Sequence, residues 1–134
     1  MKLMLDTNIC IYIIKQRPPE VLTRFKGYVV GDIAVSSITV AALQFGVQRS
    51  QTPERNQQAL DQFLLPLTVV GFDQAAAATY GQVRTDLEQQ GRPIGPLDTL
   101  IAAHALSLKL ALVTNNVDEF ARVPGLKVVN WVNR

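Results

Sequence analysis

One cysteine and one histidine in 134 residues each close a class of chemistry. Cys10 alone forms no internal disulfide, and with His104 as the sole imidazole there is no Cys/His zinc cluster and no two-histidine acid–base pair. No apolar run approaches the ~20 residues that span a bilayer, and the stretch after Lys2 lacks the long apolar segment and small-residue cleavage site of a secretory leader. A soluble, cytoplasmic protein without membrane contact is therefore expected. Charge of one sign is also scarce. The 13 basic and 11 acidic side chains leave a net charge of +2, so a polyanion must be met by a local patch and not by bulk attraction. Low-complexity tracts and long linkers are missing, and with 48% hydrophobic residues a single domain over 1–134 is expected. The chemistry left open is that of oxygen ligands and carboxylates.

What is present is a repeated alternation of short apolar runs and helical patterns. "KLMLD" reads as a buried parallel strand that feeds a helix from about Thr7 to Lys15, with Pro18 and Pro19 ending it and starting a segment toward Lys26. A second strand, Ile33 to Val35, precedes a helix with apolar residues at Ile38, Ala41, Ala42 and Phe45, capped by Ser37 or Thr39. "TPERNQQALDQFL" opens as a helix with proline at its first position and places Ala59, Leu60, Phe63 and Leu64 on one face. "TVVGF" is a third strand, followed by a long alanine-rich helix that Gly91 stops. After the rigid loop "RPIGP" come a helix with Asp98 in its first turn, a strand in "LALVTNN", a short helix in "VDEFARV" and a fifth strand in "LKVVNW". This alternation predicts a parallel sheet covered on both faces, with any ligand site beyond the carboxyl ends of the strands.

Asp6, Asp98, Asn116 and Glu119 all fall at that edge. Each has an ordinary explanation: Asp6 as a helix N-cap, Asp98 as an acid in a first turn, and Asn116 to Glu119 as a capping box. Brought together without cationic partners, the carboxylates would repel one another, and a divalent cation would resolve that repulsion. Oxygen-only ligation by one or two carboxylates plus water is how Mg²⁺ or Mn²⁺ is usually held, often with substrate phosphate completing the shell. Phosphodiester hydrolysis follows from such a site.

The stretches "MLDTNICIYIIK", "VSSITVAALQFGV", "PERNQQALDQFL", "RPIGPLDTLIAAHALSL" and "LVTNNVDEFARVPGL", in this order and spacing, resemble the PIN-domain ribonuclease toxins called VapC, essentially end to end. The resemblance implies a PIN-like three-layer α/β/α sandwich with a central parallel sheet of four to five strands. It also implies Mg²⁺-dependent cleavage of RNA, a VapB-type antitoxin as partner, and a homodimer or a larger toxin–antitoxin complex. The subgroup is similar to enzymes that cut tRNA in the anticodon stem-loop. Carried over, Asp6 and Asp98 are the metal-binding carboxylates, Asn116 stands where many relatives have Asp or Asn, and Glu119 is the outer acid. Asn8 and Thr114 would position carboxylates or phosphate by hydrogen bonds, with Thr7 and Thr39 as further supporting residues.

One match fails. The family pattern "SSITxxEL" places an acid in the helix after strand two, and here that position is Ala42. Alanine supplies neither ligand, base nor charge. It reflects either a natural loss or an alteration that disarms a toxin, and low activity is expected; alanine is also simply a good helix former. Arg92, in the loop before Asp98, is the first candidate to hold a phosphate beside the cut. His104 and Cys10 read as packing residues. Ile11, Ile14, Phe25 and Phe45 are candidates for an interface or for core. An aspartyl-phosphate phosphatase would need a second acid where Asn8 stands, and a receiver domain would need paired acids after strand one. The remaining rival is a PIN module that binds antitoxin or RNA without cleavage.

Overall fold

The computed structural model describes residues 1–132. Five strands form one parallel sheet: β1 (Leu3–Leu5), β2 (Ile33–Ser36), β3 (Thr68–Val70), β4 (Ala111–Val113) and β5 (Val128–Val129), in the order β3-β2-β1-β4-β5. β1 is central, with Leu3 opposite Ile33 of β2 on one side and opposite Ala111 of β4 on the other. The chain first builds outward through β2 and β3, then crosses back to add β4 and β5. The carboxyl ends of β1 and β4 therefore flank a topological switch point, where parallel sheets place their ligand crevice.

Alternation along the strands divides the core into two layers. Leu3, Leu5, Ile33, Val35 and Val113 point to the face covered by helices α1 (Thr7–Lys15), α2 (Pro19–Lys26), α3 (Ser37–Gln48) and α4 (Pro53–Leu64). Met4, Ala34 and Leu112 point the other way, against α5 (Gln74–Gln89), α6 (Pro96–Ser107) and the short α7 (Val117–Phe120). The result is the expected α/β/α sandwich with five strands. Strands buried on both faces are continuously apolar, which is why three-residue runs such as "LML" suffice. Among the described residues no helix is long and apolar enough to cross a membrane.

Helix α1 spans the expected residues, and its end is set by Gln16 in the left-handed region at φ 60°. Gly91, at φ 67°, takes the same backbone region just beyond α5, a conformation that costs glycine no Cβ clash. Three expectations need correction. The cap of α3 is Ser36, whose Oγ accepts from the Ile38 N–H, and not Ser37 or Thr39. The buried stripe of α3 is Thr39, Leu43 and Val47, while Phe45 is 64% exposed and stacks under the Arg49 guanidinium. On α4, Leu60 and Phe63 are buried and Ala59 is exposed. Ile11, Ile14 and Phe25 pack, partly buried, against the first core layer.

Candidate active site

Asp6 ends β1 and is 3% exposed. Its backbone N–H donates to the Val113 carbonyl at 3.0 Å, so the parallel pairing with β4 fixes where the carboxyl stands. Oδ1 accepts from the Ile9 N–H at 2.9 Å and caps α1, while Oδ2 accepts a short hydrogen bond from the Thr114 hydroxyl. One side chain thus caps α1 and holds a carboxyl at the carboxyl end of the central strand. Burial pushes the Asp6 carboxyl above its ordinary range, opposed by the Thr114 hydroxyl and the Ile9 and Asn8 amides. Thr114 is fully buried and its Oγ1 also accepts from the Asn116 N–H at 3.0 Å, so it links β4 to the loop carrying Asn116 and Glu119.

Asp98 enters from the opposite helix layer, in the first turn of α6. It is half-buried, and its carboxyl is pushed up to about 6, first by burial, then by the neighbouring Glu119 and by Asp6. Glu119 crosses from α7 to accept from the Gly95 N–H at 2.9 Å through Oε1, and its Oε2 accepts a short hydrogen bond from the Asn116 amide. A Cβ on Gly95 would sit 3.6 Å from Asp98 Oδ2 and 3.7 Å from Glu119 Oε1. The loop thus lies close against both carboxylates, and glycine keeps a methyl group out of the space beside them. The Arg122 guanidinium anchors the same loop by donating to the Pro93 carbonyl at 3.3 Å.

A profile of the PIN domain matches residues 3–126. The tRNA(fMet)-specific endonuclease VapC of Shigella flexneri is 47% identical over 131 residues, 98% of each chain. Ribonuclease VapC2 of Haemophilus influenzae is 48% identical over 132 residues, covering 98% of this chain and 99% of that one. The chain belongs to the VapC family of PIN-domain proteins. Among solved structures, VapBC2 from Rickettsia felis bound to a promoter DNA fragment superposes with a TM-score of 0.92 at 43% identity, over 98% of this chain and 100% of that one. DNA-bound VapBC from Salmonella typhimurium gives 0.93 at 42% identity, over 98% and 99%.

In this VapC-family chain the structure brings Asp6, Asp98, Asn116, Glu119 and Thr114 into one connected group. The Thr7 hydroxyl lies 3.5 Å from that of Thr39, tying the first turn of α1 to that of α3. Asn8 contributes its main-chain N–H to Asp6, and its side chain is exposed. Arg92 is exposed; its backbone N–H closes on Leu87 O at 3.0 Å, and its side chain has no hydrogen bond or ion pair among the described residues. Ala42, one turn beyond Thr39, lines an apolar groove of about 400 Å³ together with Thr7, the residue after Asp6.

Sequence reasoning missed three partners. Tyr12 accepts through its hydroxyl from the Asn115 amide at 3.0 Å, bracing the loop after β4. Gly95 holds Glu119, and Ser36 meets His104 Nδ1 at 2.8 Å. His104 is 1% exposed, edge-on to Phe72, and burial lowers its pKa. Cys10 is fully buried with its thiol pushed up by burial, a core residue as its place in the apolar pattern suggests.

The donor set suits a hard divalent cation. Asp6, Asp98 and Glu119 offer only oxygen, and among the described residues no lysine or arginine forms an ion pair with any of them. No group of three or more His, Cys, Asp and Glu among the described residues is spaced to hold a metal. Mg²⁺ is the kind of cation that takes one or two protein carboxylates and completes its shell with water, so a group of few oxygen donors does not conflict with it. Ala42 adds no oxygen donor.

Proposed function

We propose that this chain is the toxin half of a VapBC-type pair, built as a Mg²⁺- or Mn²⁺-dependent endoribonuclease that cuts tRNA at the anticodon stem-loop, and that Ala42 leaves it with low activity. The observation that carries this reading is the gathering of Asp6, Asp98 and Glu119 at the carboxyl edge of the sheet, with no lysine or arginine ion-paired to any of them among the described residues. Negative charge gathered at a strand-end crevice and left unpaired is a cation site in waiting.

Asp6 and Asp98 would hold the cation, with Glu119 and Asn116 behind them. Thr114 and the amides of Ile9 and Asn8 keep Asp6 aimed and charged, while Gly95 and Arg122 hold the loop that delivers Asp98. A bound divalent cation supplies a Lewis acid for the phosphate oxygens and a water of lowered pKa. Arg92, exposed in the loop that leads to Asp98, would meet a flanking phosphate. The family's solved VapBC complexes support a VapB-type antitoxin as partner; the reading further takes the assembly to be a homodimer or larger and to act in the cytoplasm. The second reading, a module that binds antitoxin or RNA without cutting, is favoured by Ala42 alone.

The test is cleavage of a mixed tRNA pool with and without Mg²⁺ by the chain as given and by its Ala42→Glu form. The expected result is cutting by the Glu form only, metal-dependent and at least about 100-fold above the Ala form, the scale of losing one group that stabilises a transition state. Silence from both, with each protein folded, would transfer the assignment to the binding module.

A further inference from the structure

The acidic cluster occupies one side of the 93–96 loop; a separate cavity of about 180 Å³ occupies the other. Helix α5 lines it with Tyr80, Arg84 and Glu88, spaced four residues apart and so aligned on one face. Its floor is Leu87 and Thr99, 1% and 5% exposed, and the loop supplies the opposite wall with Pro93 and Ile94. Arg84 NH1 donates to the Tyr80 hydroxyl at 3.0 Å, and its Nε stands 3.6 Å from Glu88 Oε2.

The geometry points to this cavity as the seat of one unpaired nucleobase of the RNA, adjoining the bond that is cut; the assignment rests on the ribonuclease reading above. The cavity has room for a planar ring system and not for a helix or strand. Its chemistry is also that of a base: an apolar floor for the ring face, an aromatic ring and proline at the sides, and donors and acceptors on the rim for the ring edge. A phosphate is disfavoured there, because Glu88 already faces Arg84 and would repel a second anion.

Placement gives the base its purpose. Thr99 in the floor follows Asp98 directly in α6, and its hydroxyl donates to the Gly95 carbonyl at 2.8 Å. Gly95 in turn donates to Glu119 on the other side. One loop is thus the shared wall of base cavity and carboxylate group. A nucleotide seated in the cavity would run its sugar–phosphate over the loop toward Asp98, so base recognition would position the scissile phosphate.

The test uses the chain as given, which is expected to bind RNA without cutting it. Stem-loop RNAs carrying one abasic nucleotide, stepped through the loop, are titrated in Mg²⁺ against the chain and against Tyr80→Ala and Arg84→Ala. Arg84 is exposed and Tyr80 is partly buried against the second core layer, so thermal melting checks that each variant is folded. The expected result is one position where removing the base weakens binding about tenfold, falling to about twofold or less in either variant. A flat abasic profile, or a profile the variants leave unchanged, overturns the base site while the ribonuclease reading stands. No RNA binding by any form overturns both.

Discussion

Asp32 and Asp98 are the same side chain at opposite edges of one sheet. Asp32, just ahead of β2, accepts from the Val29 N–H at 3.1 Å and faces Lys2 Nζ at 3.9 Å. Its charge is answered locally, and it serves to join the starts of β1 and β2. Asp98, at the carboxyl edge, meets Glu119 and Asp6, forms no ion pair among the described residues, and its carboxyl rises to about 6. The difference teaches that an acid's role follows from what neutralises it. A partnered acid is part of the scaffold, whereas an acid confined among acids has its stabilising partner outside the chain.

That contrast can be broken at three places. Asp6→Ala should have the largest effect on stability, because Asp6 is wired into the fold while also belonging to the acidic group. Losing its cap on α1 and orphaning the buried Thr114 hydroxyl should cost about 2 kcal/mol, partly offset by relief of its own burial. Denaturant melts would show it, and an unchanged midpoint would mean the cap contributes nothing. Asp98→Asn should act oppositely. Because the folded-state pKa lies above 3.8, the folded form keeps a proton where the unfolded form has lost it, so stability falls as pH rises from about 4 to 6 and stays reduced above. The Asn form should therefore be more stable at pH 7 by about 1 kcal/mol, discounted for the half-exposed carboxyl, with the gain vanishing by about pH 4. Thermal melts across that window check the sign, and a gain that persists at pH 4 would assign it to something other than charge. Lys2→Ala should do least, within about 0.5 kcal/mol, since the Lys2 side chain is 69% exposed. A larger loss would mean that Asp32 depends on Lys2 more than an exposed pair allows.

The sequence made the frame legible where a local rule determined it. The bounds of α1, the proline start of α4 and the stop at Gly91 follow from caps and breakers acting within a few residues. The face of α3 did not, because apolar residues surround this helix and periodicity cannot choose between Phe45 and its neighbours Leu43 and Val47; packing against α1 and α4 decides. The acids were legible as strand-end residues. Their wiring was not: Glu119 reaches a main-chain amide 24 residues away, and Tyr12 meets Asn115 across 103, contacts that exist only after loops from different layers converge.

The bond between Asp6 and Thr114 joins positions 108 apart, the first strand to the fourth. A ribosome adding about 5–20 residues per second would release Asp6 roughly 5–20 s before its partner. β1, made first, cannot be completed as a central strand until β4 arrives. Until then an unfinished chain carries its first acid without the contacts that aim it.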